Sequence, residues 1–138
     1  MADLRYEINS PITVEEFIGL LERSTLAERR PTGDQSCMEG MLRNANLIVT
    51  AHDDDKLIGI ARSLTDFHYS CYVSDLAVDQ DYQRRGIGRD LVRLTKKQLG
   101  EKCRIVLLAA PRAVDYYSKL GFTKHPHAWV LEPGHDVR

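Results

Sequence analysis

The sequence predicts an α/β (α+β) fold: a mixed, mostly antiparallel sheet of about six to seven strands flanked by about four helices. Three observations carry this. Short apolar runs separated by polar turns at residues 53–55 and 65–68 spell an antiparallel meander. Apolar residues recur at helical spacing before and after it. A strand, a glycine turn, a helix and a second apolar run, over residues 76–110, then supply one parallel crossover.

The elements follow in order. Residues 6–9 read as a first strand. Thr13 is an N-cap, with Glu16 completing a capping box, and Val14, Phe17, Ile18 and Leu21 give a helix to about residue 26. Pro31 and Gly33 interrupt the chain before a second helix over 36–45, which carries Met38, Met41 and Leu42. Residues 47–51, 56–64 and 69–78 are the meander strands. A helix over 89–99 follows, with Gly100 as its C′ residue. Residues 104–110 read as a buried strand. A last helix over 112–120 ends at Gly121, where a Schellman motif brings Phe122 against Tyr117. Residues 125–131 form one or two final strands.

The length of 138 residues is that of a single domain, 1–138, large enough to bury a core without staples. With 19 basic and 20 acidic side chains the chain lacks the basic excess of a nucleic-acid binder. Cys37, Cys71 and Cys103 show no metal spacing, which predicts reduced thiols and a cytoplasmic setting. Residues 1–5 are too polar for a signal peptide, and the longest apolar run, 105–110, is too short to span a bilayer, so no membrane partner is expected. His125 and His127 have no carboxylate or Cys partner in the pattern, so no metal is expected.

The most informative stretch is Gln83-Arg84-Arg85-Gly86-Ile87-Gly88, between the apolar run Leu76-Ala77-Val78 and the helix opened by Arg89. Glycines let the backbone approach a ligand closely. The first N–H groups of a helix lack partners and lie at the positive end of its dipole, which suits phosphate oxygens. Arg84, Arg85 and Arg89 add guanidinium groups, which match phosphate geometry. The turn therefore reads as a pyrophosphate site. Gly88 is followed by Arg89-Asp90, which excludes a P-loop, and Leu91 stands where a dinucleotide fingerprint needs its third glycine.

Leu76-Ala77-Val78-Asp79-Gln80-Asp81-Tyr82-Gln83-Arg84-Arg85-Gly86-Ile87-Gly88 resembles motif A of the GNAT family of N-acetyltransferases, and Ala113-Val114-Asp115-Tyr116-Tyr117-Ser118-Lys119-Leu120-Gly121-Phe122 is similar to its late motif. The resemblance covers about residues 47–131. It implies a sheet with a central splay, a bulge in the strand before the turn, and acetyl-CoA as co-substrate. It also implies that the amides of Arg84 through Arg89 bind the CoA pyrophosphate and that the backbone of Leu76, Ala77 and Val78 pairs with the pantetheine arm. The family's catalytic tyrosine corresponds to Tyr117, which becomes the candidate general acid. Dimers are common in the family, so a homodimer is admitted. Ala110 departs from the pattern, which usually has Asn there.

Transfer of an acyl group from a thioester to an amine needs a deprotonated amine and a proton for the departing thiolate. A tyrosine with a pKa of about 10 holds its proton at neutral pH and can supply it. Asp75, a polar residue in an otherwise buried strand, is the candidate base; its alternative readings are an exposed strand residue or one hydrogen-bonded across the turn. Tyr72 and Ser74 are candidates for a water path, and His68 and Asp66 read as solvated turn residues. The expected function is acetyl transfer to a small-molecule or peptide amine by direct attack in a ternary complex. The alternative is a non-catalytic CoA-binding sensor, to which Ala110 gives weight.

Overall fold

Thr13, the residue that the sequence offers as an N-cap, caps a helix in the computed structural model of the chain, which describes residues 4–138. Residues 1–3, part of the segment read as too polar for a signal peptide, lie outside the described residues. Thr13 Oγ1 accepts from the Glu16 amide at 3.0 Å while the Thr13 amide donates to Glu16 Oε1 at 3.0 Å. This is the capping box, and it opens α1 (Val14–Ser24). Asp34 accepts from the Cys37 amide and opens α2 (Gln35–Asn44).

The strands are β1 (Leu4–Ile8), β2 (Leu47–Asp53), β3 (Lys56–Thr65), β4 (Ser70–Val78) and β5 (Arg104–Val106). They form a five-stranded sheet in the order β1-β2-β3-β4-β5. The pairs up to β4 are antiparallel, and β4 pairs with β5 in parallel. On one face α1 and α2 bring Phe17, Leu20, Leu21 and Met38 against Leu57, Ile60 and Ala77. On the other, α3 (Ile87–Lys97) brings Ile87 and Leu91 against Val49, Ala51 and Ala61. Gly59 permits that contact, because a Cβ there would stand 3.1 Å from Leu91 Cδ1 and 3.3 Å from Ile87 Cγ2.

Some expectations are corrected. The sheet has five strands rather than six to seven among the described residues. The apolar run expected as a strand over 104–110 forms only the short β5, whose pairing with β4 ends at Tyr72, just before the bulge at Ser74 bends β4. Residues 125–131 form no strand among the described residues. Pro126 has no ladder donor, and the His127 amide donates to His125 Nδ1 at 3.0 Å, which curls the chain locally. Gly100 is not a left-handed C′ residue. The α3 end is capped at Gln98, and the Gly100 amide instead donates to the Phe67 carbonyl at 2.8 Å.

The chain divides into two compact units, the first running through Leu108 and the second Ala109–Arg138. The sheet and α1 to α3 belong to the first. The second holds a 3-10 turn (Pro111–Ala113) and a single-turn helix, α4 (Tyr116–Lys119), shorter than the 112–120 expected. Its end is as expected: the Phe122 amide donates to the Tyr117 carbonyl at 3.0 Å and the Gly121 amide to the Ser118 carbonyl at 3.1 Å. Gly121 has φ +96°, the left-handed conformation a Schellman motif requires.

Candidate functional site

The chain leaves β4 through Asp79, whose amide donates to the Ile58 carbonyl at 2.8 Å. The Asp79 carboxylate is buried and accepts from the Asp81 amide at 2.9 Å and from Arg23 Nε at 2.7 Å, with Lys56 Nζ at 3.7 Å. Burial pushes this carboxyl up, but the Asp81 amide and the Arg23 and Lys56 cations outweigh it and hold it below the ordinary range. The Tyr82 ring then has the Lys56 and Arg85 cations over it, 5.6 Å and 5.1 Å from its centroid, and its hydroxyl donates to Asp53 at 2.5 Å. Gln83 Nε2 donates to the Val78 carbonyl at 3.0 Å and closes the loop on the strand end.

Arg84 (φ +66°) and Gly86 (φ +79°) both adopt the left-handed conformation ahead of α3. None of the amides from Arg84 through Arg89 donates to an acceptor among the described residues; the first to do so is Asp90, bonded to the Gly86 carbonyl at 3.0 Å. Successive unpaired amides in a turn at the positive end of a helix make an anion-binding concavity. Arg84 and Arg89 are exposed beside it. Arg85 is folded back, donating to the Asp81 carbonyl at 3.2 Å over the Tyr82 ring.

The strand that feeds this turn is irregular. Arg62 pairs with Asp75 but Ser63 pairs with Val73, so Ser74 is an extra residue, a β-bulge. Cys71 and Val73 lie with Leu99, beyond α3, whereas Ala77, past the bulge, packs among α1 and α2 side chains. The bulge thus moves Asp75 to the α1/α2 face. Pairing with β5 has already ended at Tyr72, so the far edge of β4 from Val73 to Val78 has no strand partner among the described residues. Leu76, Ala77 and Val78 therefore lie on an open edge next to the turn, where an extended ligand can add as a strand does.

Asp75 is neither exposed nor open to a ligand; it is 0% exposed. Arg30 Nε donates to one carboxylate oxygen at 2.5 Å and Arg62 Nε to the other. Arg30 also donates to the Ser74 carbonyl at 2.7 Å. Arg62 also donates to the Met41 carbonyl at 3.0 Å and to Ser74 Oγ at 2.9 Å. Arg30 and Arg62 were not singled out in the sequence. Their signal was available: Arg62 and Asp75 are charges inside apolar strands, and a buried charge needs a partner. Asp66, read as a solvated turn residue, accepts from the amides of His68, Tyr69 and Ser70, which hold its carboxyl down at about 2.

Residues 44–124 match the family model described as an acetyltransferase (GNAT) domain. The chain belongs to the GNAT acetyltransferase family. It is 32% identical over 91 residues to the N-acetyltransferase ycf52 of Pyropia yezoensis, covering 62% of this chain and 52% of that one. It is 36% identical over 78 residues to a chloroplastic GNAT-type N-acetyltransferase of Arabidopsis thaliana, covering 53% and 29%. The chain thus spans about half the length, or less, of these curated relatives. Among solved structures, a GNAT family acetyltransferase of Streptococcus pneumoniae superposes with TM-score 0.68 at 20% identity over 93% of this chain and 98% of that one. The aminoglycoside N-acetyltransferase AAC(6')-Iy in complex with CoA superposes with TM-score 0.73 at 16% identity, over 98% and 97%. These likenesses show the GNAT fold.

The late GNAT motif lies in the second unit. There Tyr117 is half-buried, with its ring edge-on to Tyr116 at 5.3 Å and to Phe122 at 5.5 Å between centroids. Ala110, in the place of the family's usual Asn, stands at the N-cap of the 3-10 turn, which has no side-chain cap.

Proposed function

We propose that this chain transfers an acetyl group from acetyl-CoA to a primary amine by direct attack within a ternary complex. The observation that carries the reading is the run of unpaired amides from Arg84 through Arg89, continuous with the open edge of β4 at Leu76, Ala77 and Val78. Membership of the GNAT family gives that pattern its chemistry. The amides and the Arg84 and Arg89 guanidiniums hold the pyrophosphate, and the strand backbone holds the pantetheine arm. Gln83 keeps the turn tied to the strand. Bound acetyl-CoA supplies an already activated acyl group.

Tyr117 is the proposed general acid, on its position in the late motif. As the amine nitrogen bonds the carbonyl carbon and the C–S bond breaks, it gives its phenolic proton to the departing CoA thiolate; the proton shed by the nitrogen passes to solvent water, from which the phenolate is reprotonated. The uncapped Ala110 position favours a second reading, a CoA-binding sensor without turnover. Release of free thiol from acetyl-CoA in the presence of spermidine, free lysine or a lysine peptide tests the two. Amine-dependent release supports the transferase, and CoA binding without release on any of them supports the sensor.

A further inference from the structure

We propose that Asp75 is a positioning residue rather than the proton acceptor: with Arg30 and Arg62 it locks the segment between α1 and α2 onto the bulge of β4, at the end of the cofactor groove. The acceptor-binding part of this inference rests on the transferase reading; the lock does not.

The location follows from the strand. A ligand anchored at the glycine turn and running along β4 passes Val78, Ala77 and Leu76. It meets the bulge at Ser74 and Asp75 after roughly 10 Å, at about 3.3 Å per residue. The reacting end of the ligand therefore arrives where Arg30 is fastened. Arg30 lies on the segment joining α1 to α2 and is held there by Asp75 and by the Ser74 carbonyl. Arg62 holds the same carboxylate from β3 and reaches the Met41 carbonyl of α2. One carboxylate thus joins β3, the β4 bulge, α2 and the α1–α2 segment. Its oxygens both face guanidiniums and it is sealed from solvent, so no amine touches it in this arrangement.

The neighbouring backbone depends on the same lock. The Arg30 amide donates to the Ala27 carbonyl at 3.1 Å and the Arg30 carbonyl accepts from Thr32 at 2.8 Å, so freeing the side chain frees a short turn with few other ties. Such a turn belongs to the low-stability end of a structure once its anchor is gone.

The test compares wild type, Asp75→Asn and Arg30→Ala. Arg30→Ala leaves the Arg62–Asp75 pair in place, so it keeps the experiment readable if Asp75→Asn fails to fold. Trypsin cleavage after Arg29 reads the lock without any substrate. Cleavage there should quicken by about tenfold in both variants relative to cleavage in α3 after Lys96. With spermidine as the amine probe, the KM for amine should rise about tenfold or more, the KM for acetyl-CoA should stay within about twofold, and the pH profile of kcat/KM should keep its shape. The proposal is overturned if Arg30→Ala is cleaved and turns over as wild type does while Asp75→Asn loses the ascending limb of the pH profile. If wild type acetylates no amine, the transferase reading fails, and the cleavage rates still decide the lock: unchanged rates reject it.

Discussion

Arg23 Nε donates to Asp79 at 2.7 Å, and this single pair ties helix α1 to the entrance of the glycine turn. Arg23 extends the tie to the Leu57 carbonyl at 2.7 Å. Asp79 is thus the point at which the α1 layer, the β2–β3 hairpin and the phosphate turn meet. Asp79→Asn keeps an oxygen for the Asp81 amide but removes the charge that faces Arg23 and Lys56. We expect a stability loss of about 2 kcal/mol by urea unfolding and an affinity for CoA lowered about fivefold to tenfold by calorimetry.

Gly86 supplies the left-handed residue at the N-cap of α3. No atom stands within 4 Å of a Cβ built there, so the constraint is the backbone conformation itself. Gly86→Val should cost about 1–2 kcal/mol through that conformation. The turn that relaxes from it should bind CoA about tenfold more weakly. An unchanged CoA affinity would separate the turn geometry from binding.

Tyr117→Phe retains the ring that packs against Tyr116 and Phe122 and removes only the hydroxyl. We expect kcat to fall about 100-fold, with CoA affinity within about twofold. Equal kcat in the two proteins would remove Tyr117 from the chemistry.

Asp66 gives the acid dependence its sign. Its carboxyl is held at about 2, below its ordinary 3.8, by the backbone amides of Ser70, Tyr69 and His68. A carboxyl depressed in the folded state stabilises the fold above the unfolded value, and that contribution is lost as pH falls toward about 2. Asp66→Ala should therefore lower the urea midpoint at about pH 6, and the gap from wild type should close near about pH 2. A gap of constant size across this range would contradict the assignment.

Much of this was legible because it is local. The capping box at Thr13 and Glu16, the Schellman end at Gly121 and the glycine turn at Gly86 each depend on residues a few positions apart. They appear where the sequence puts them. The matched motifs carried the family, and the open edge of β4 carries the splay that the resemblance implied. What the sequence concealed is long-range. Arg30 and Asp75 are 45 residues apart, and Arg62 reaches Asp75 across a strand pair whose register a bulge shifts. The resemblance implied a bulge in this strand, but period-2 reasoning along β4 does not place it at Ser74, and so it did not bring out Arg30 and Arg62 as the partners of Asp75. The run over 104–110 was apolar enough for a strand, but its pairing with β4 stops at Tyr72, ahead of the bulge.

The most direct measurement is calorimetric titration of the purified chain with coenzyme A. The run of open amides from Arg84 through Arg89 predicts one site per chain with a dissociation constant of about 1–100 µM, weakened in Gly86→Val. No heat of binding at millimolar coenzyme A, or equal binding by wild type and Gly86→Val, would contradict it.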